Sequence, residues 1–131
     1  MDLKKQKGEK IGPIKDICNK CKYSMQGLAY CYKNETSFII ETIALVGAII
    51  MGLVFNISPA QWVFSLLSLL IIMEVECLNT GIEATVDMVT KEYNPYAKIA
   101  KDCGSAATCV CSIVAAIVHL FIYVPLIIAL F

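Results

Sequence analysis

The chain has 131 residues, 58% of them hydrophobic, and a mean hydropathy of +0.69, which excludes an ordinary soluble domain and leaves room for one compact membrane domain. Acidic and basic residues balance at 11 each, yet the basic ones are all Lys and eight of them fall in the first 33 positions. Beside a membrane span such a cluster reads as a topology signal, not as a nucleic-acid surface.

The start, MDLKKQKGEK, has no apolar core behind its charges, so a cleavable signal peptide is not expected. From about Ile11 to Asn34, Ile11, Ile14, Ile17, Met25 and Leu28 alternate with Lys15, Lys20 and Lys22. This pattern predicts a basic amphipathic helix lying on the membrane surface, with a break at Gly27; the alternative is a loosely ordered basic tail.

Ser37–Asn56 is an apolar run of twenty residues interrupted by Glu41 alone, the length that crosses ~30 Å of hydrocarbon. Asn56, Ser58 and Pro59 predict a turn. The second span begins near Gln61, with Trp62 at belt depth, and continues to about Val89. The third, Cys103–Phe131, contains no charged residue, and Pro125 is expected to kink or end it. The expected organisation is therefore an all-α membrane protein forming a single domain over 1–131. It consists of a basic surface segment (1–34) and three transmembrane helices at about 37–56, 61–89 and 103–131.

Lys91, Lys98 and Lys101 lie between spans two and three, whereas the turn between spans one and two is uncharged. The positive-inside rule then puts the N-terminus and the second loop in the cytoplasm. In this orientation Glu76 lies ~23 Å along span two, in its cytoplasmic half.

The second span carries the most informative pattern. Glu76, Asn79, Glu83 and Asp87 follow one another at steps of three, four and four, so all four share one helical face. Ionisable groups at membrane depth are costly, and aligned carboxylates suit a divalent cation. Glu74 lies about 200° round the helix from Glu76 and faces away. There is no G-x-x-x-x-G-K-[ST], so any phosphate site must use carboxylates, metal and Lys in place of a P-loop.

The block EVECLNTGIEATVD (Glu74–Asp87), followed by AKDCGSAA (Ala100–Ala107), resembles the signature of the bacterial integral-membrane diacylglycerol kinase family. YSMQGLAYCYKNETSFIIE (Tyr23–Glu41) is similar to the surface helix and first span of that family. The resemblance implies an ATP- and Mg2+-dependent lipid kinase of the bacterial inner (cytoplasmic) membrane, a homotrimer with shared active sites acting on a membrane lipid. By matching position it implies Glu76 as the general base, Glu35 and Glu83 as metal ligands, and Tyr23, Glu92, Tyr93, Lys101 and Asp102 as nucleotide contacts. Asn79 and Ser105 match positions lining the active site. The chain departs from the family's pattern at Asn94, where His is expected, and at Glu74, where an apolar residue is expected. The surface helix also lacks an expected Arg, with Lys15 a possible but unaligned substitute.

Several residues keep two readings. Glu41 either helps form the lipid site or bonds across helices, and Asp87 is either catalytic or a solvated or capping acid. Cys18 and Cys21 have C-x-x-C spacing without a second pair or a His, and free thiols are expected. The other five Cys suit close helix packing. His119, the only His, reads as packed or helix-bonded. A small proton-coupled transporter also uses intramembrane Glu, but has no use for Lys101-Asp102 beside a carboxylate face. Within the kinase class, Asn94-Pro95 and Val124-Pro125 look like the undecaprenol kinase branch. Asn34-Glu35 and Gly104-Ser105-Ala106 look like the diacylglycerol branch, which is the expected one.

Overall fold

The computed structural model describes residues 12–130; Ile11, the Lys-rich start before it and Phe131 lie outside the described residues. Four helices follow in order: α1 (Pro13–Asn34), α2 (Thr36–Val54), α3 (Pro59–Val89) and α4 (Pro95–Ile128), with no strand among the described residues. They fall into two compact units that meet in sequence between Asn34 and Glu35.

The first unit is α1. Pro13 at its start, Asp16 in the first turn and Lys33 in the last turn agree with the helix dipole. Lys20 Nζ pairs with Asp16 at 2.9 Å. Ile14, Ile17, Met25 and Leu28 are all exposed and recur at helical spacing, forming an apolar stripe. Gly27 does not break the helix, contrary to expectation. Its cost inside a helix is only about 1 kcal/mol, which good helix formers around it can absorb.

In the second unit, α2, α3 and α4 are each long and apolar enough to cross a membrane. The α2–α3 turn is built from local chemistry. Asn56 takes a positive φ of 48°, and Ser58 caps α3. Ser58 Oγ accepts from Gln61 N at 3.3 Å, while Gln61 Oε1 accepts from Ser58 N at 2.8 Å. This reciprocal cap, with Pro59 in the first turn, starts α3 two residues before the predicted Gln61. Trp62 packs directly over Gly52, whose missing side chain leaves the indole its place.

The start of α4 differs more. It begins at Pro95, not near Cys103, because Asn94 Oδ1 accepts from Tyr96 N at 2.9 Å and from Ala97 N at 3.3 Å. The apolar run marks only the part inside the bilayer; the helix itself reaches two turns further and carries Lys98 and Lys101. Pro125 does not stop it either, since so close to the end the missing N–H removes a single bond.

α3 packs along both α2 and α4. Ala48, Leu69, Ile72 and Ala115 form one buried cluster, and Ile57, Ile122 and Tyr123 another. Two polar side chains of α4 are paired inside. His119 Nδ1 lies 2.8 Å from the Ala115 carbonyl and must donate to it, which makes Nε2 an acceptor for the Ser65 hydroxyl at 3.0 Å. Tyr123 donates its hydroxyl to Ala48 O at 3.1 Å. His119 is thus a packed, helix-bonded imidazole. The described cysteines form no disulfide; Cys111 packs on the first cluster, Cys31 is buried, and Cys103 and Cys109 are exposed in the single chain.

Candidate functional site

The buried polar residues on α3 mark the site. Glu76 is 5% exposed, Asn79 8% and Thr80 4%, all on the face predicted from the sequence, while Glu74 is exposed. Thr80 turns its hydroxyl back to the Glu76 carbonyl at 2.9 Å, the usual way a helix satisfies a buried Thr. Asn79 Nδ2 reaches Glu83 Oε1 at 3.4 Å. From α2, Ser37 donates its hydroxyl to Glu76 Oε1.

Glu35 is the half-buried N-cap of α2, in extended conformation and without a side-chain cap bond. Burial, and then the negative charges of Glu83 and Glu76, push its carboxyl above the usual carboxylate range. Three carboxylates from α3 and the start of α2 therefore share one neighbourhood. Among the described residues none of the three has an ion-pair partner within 4.0 Å. Nor does any group of three or more His, Cys, Asp or Glu there have the geometry to enclose a metal by itself. Carboxylates without an ion-pair partner are the donor type a hard divalent cation takes, and Glu35 and Glu83 are the two that would hold one.

Asn79 Oδ1 is buried without a hydrogen-bond partner and lies against Gly104 of α4, where a Cβ would overlap it. Ser105, one step further round α4, is exposed and takes no part in these contacts. Glu41 is half-buried on α2, with Oε2 sealed from solvent and unpartnered. It lines a mostly apolar pocket of about 410 Å³ together with Ser112, His119 and Tyr123.

The C-terminal end of α3 and the N-terminal end of α4 form a second region. A pocket of about 570 Å³ there is lined by Asp87, Thr90, Lys91, Glu92, Tyr93, Asn94, Lys98, Lys101 and Asp102, among others. Lys101 Nζ donates to Asp87 Oδ1 at 2.7 Å, and Lys98 pairs with Asp102 one turn on. Glu83 lies within electrostatic reach of Lys101, which connects this pocket to the carboxylate cluster. Of the predicted site residues, Glu92, Tyr93, Lys101 and Asp102 thus share one pocket, and Glu35, Glu76, Asn79 and Glu83 share the other region. Tyr23 stands on α1 in the N-terminal unit, 37% exposed. Asn94 is a helix cap, which accounts for an amide at that position.

The sequence model for prokaryotic diacylglycerol kinase matches residues 22–123. The chain belongs to this family. A diacylglycerol kinase of Escherichia coli K12 is 37% identical over 95 residues, covering 72% of this chain and 78% of the relative. An undecaprenol kinase of Bacillus subtilis is 32% identical over 100 residues, covering 76% and 81%. A diacylglycerol kinase of Haemophilus influenzae is 35% identical over 104 residues, covering 75% and 86%. As a member of the prokaryotic diacylglycerol kinase family the chain is a lipid kinase.

Two residues in this site escaped the sequence reading. Ser37 opens the first span directly after Thr36, where nothing in the spacing separates it from a helix-start residue. Gly104 did carry a signal: a Gly inside a helix is costly, and close approach of a neighbour is the common reason for one.

Proposed function

We propose that this lipid kinase transfers the γ-phosphoryl group of ATP to diacylglycerol, giving phosphatidic acid, at the cytoplasmic face of the bacterial inner membrane. The observation that carries the proposal is the buried Glu76 on the same helical face as Asn79 and Glu83, with Glu35 beside them. Phosphoryl transfer asks the protein for positioning, charge neutralisation and a base near the acceptor more than for covalent chemistry.

In this reading Glu76 takes the proton of the lipid hydroxyl as its oxygen bonds to the γ-phosphorus, and the bond to the β-phosphate oxygen breaks to release ADP. Glu35 and Glu83 would hold Mg2+, which when bound neutralises charge on the phosphates. Lys101, steadied by Asp87, supplies a point charge, while Asp102, Glu92, Tyr93 and Tyr23 contact the nucleotide. Asn79 orients Glu83, and Ser105 takes the lipid head. The apolar stripe of α1 lies along the membrane surface. The active protein is a homotrimer with sites completed between subunits.

Undecaprenol is the second reading, favoured by the similarity to the undecaprenol kinase of Bacillus subtilis and by the Asn94-Pro95 and Val124-Pro125 pairs. The deciding experiment presents the purified protein with ATP and Mg2+ and with each lipid in turn in mixed micelles. Phosphatidic acid formed at the higher kcat/KM supports the proposal; faster phosphorylation of undecaprenol overturns it.

A further inference from the structure

We propose that Ser37 is a positioning residue for Glu76, holding one oxygen of its carboxylate so that the other faces the acceptor hydroxyl. The inference rests on Glu76 acting as the base.

Glu76 is nearly sealed inside the bundle, and a buried carboxylate needs a donor if it is to stay charged and keep a single orientation. Its own helix supplies none. Thr80, one turn on, spends its hydroxyl on the Glu76 backbone carbonyl, and Asn79 directs its amide to Glu83. The surrounding charges offer no help either, because the charged groups that interact with Glu76 are the carboxylates Glu35 and Glu41 from the α2 side. The donor comes from α2, 39 residues earlier in the chain, where Ser37 gives its hydroxyl proton to Glu76 Oε1. Among the described residues no other side chain donates to this carboxylate, and Oε2 carries no hydrogen bond.

A base needs this asymmetry. One oxygen is fixed by a short-chain donor on a rigid helix, and the second keeps its lone pairs for the incoming proton. Ser37 is well placed to give it. It stands in the first turn of α2, two residues after Glu35, so the segment that delivers a proposed metal ligand also sets the base. The bond also ties α2 to α3 at the level of the reaction, which limits movement of Glu76 relative to Glu35.

The test compares Ser37→Ala, Ser37→Cys and Ser37→Thr with the unaltered full chain, reading kcat, the KM for MgATP and thermal stability. Cys keeps the volume but is a poor donor, and Thr keeps the hydroxyl. We expect kcat to fall about tenfold in Ala and Cys, as for loss of a hydrogen bond to a charged group, with KM for MgATP within twofold of the parent. Thr should recover most of kcat. A kcat within twofold of the parent in both Ala and Cys overturns the proposal. So does an equal loss in all three variants, which would assign Ser37 a packing role, or a rise in KM with kcat unchanged. Glu76→Gln, measured alongside, separates the two levels. If it is inactive while the Ser37 variants are normal, only the positioning role fails; if it turns over normally, the base assignment fails and this proposal with it.

Discussion

Gly104 of α4 lies so close to the Asn79 carboxamide of α3 that a Cβ at position 104 would overlap Asn79 Oδ1. The contact fixes the amide from behind while its nitrogen reaches Glu83 at 3.4 Å. Gly104→Ala should therefore displace Asn79 and loosen Glu83, lowering kcat/KM on the order of tenfold or more, with a stability loss of about 1–3 kcal/mol for the overpacked contact. Adding Asn79→Ser to Gly104→Ala relieves the overlap but not the lost hydrogen bond. The double variant should regain melting temperature without regaining activity. Recovery of both together would mean that Asn79 contributes only bulk.

The face bearing this amide could be predicted because helical periodicity is a property of sequence spacing alone: steps of three and four put Glu76, Asn79 and Glu83 together whatever the tertiary structure. The three spans were legible for a similar reason, since length and apolarity are set by the bilayer. The sequence did not reveal what depends on other helices. Ser37 reaching Glu76 needs the α2–α3 packing angle, and Gly104 facing Asn79 needs the rotation of α4. The start of α4 was missed because hydropathy ends where the bilayer ends, while the helix is set by the Asn94 cap. Gly27 was expected to break α1, which the helix formers around it carry through, and Pro125, expected to kink or end α4, stands too near its C-terminus to end it.

Glu35 gives a prediction in which function and stability move in opposite directions. Burial and the neighbouring Glu83 and Glu76 hold its carboxyl above the ordinary range, so its charged form opposes folding when no cation is bound. Glu35→Gln should lose most of its Mg2+-dependent activity yet raise the melting temperature of the metal-free protein at neutral pH. The raised folded-state value means the unaltered protein gains stability as pH falls through it, so the advantage of Gln should shrink on acidification and vanish below the ordinary carboxylate range. Thermal scans in chelator from pH 7 to pH 4 check this. A Gln variant less stable at pH 7 would show that Glu35 is already paired in the folded protein.

Glu35 and Glu83 should also report on one shared metal. Each change to Gln is expected to weaken Mg2+-dependent nucleotide binding, and the double change to add little more, since removing one ligand already spoils the site. Mg2+ titrations of all three variants measure it, and strictly additive losses would separate the two residues. If sites are completed between subunits, mixing a Glu35→Gln chain with a Glu76→Gln chain should restore part of the activity in hybrid assemblies.

The Asp87–Lys101 pair is partly exposed, with side-chain exposures of 48% and 35%, so solvent screening leaves it little weight in stability. Its proposed value is in aiming Lys101 into the pocket shared with Glu92, Tyr93 and Asp102. Asp87→Asn should leave the melting temperature nearly unchanged and raise the KM for MgATP by about 3- to 10-fold, the scale of one weakened charge-assisted contact. An unchanged KM would reduce Asp87 to a surface partner.

Ser105 bears on which lipid is used. It follows Gly104, stands exposed on α4 and makes no side-chain hydrogen bond among the described residues, so its hydroxyl is available to a lipid lying against the helix. A glycerol head carries polar oxygens at that depth; a polyprenol offers only its terminal hydroxyl, already engaged at Glu76 in the proposed reaction. Ser105→Ala should then cost about 0.5–1.5 kcal/mol in kcat/KM for diacylglycerol and leave undecaprenol unaffected. The measurement is a competition between the two lipids in the same micelles, with products separated after limited turnover. Equal losses for both would mean that Ser105 acts on the helix or the nucleotide. A parent protein that prefers undecaprenol, with the Ala variant unchanged, would assign the enzyme to the polyprenol branch while leaving the roles of Glu76, Glu35 and Glu83 intact.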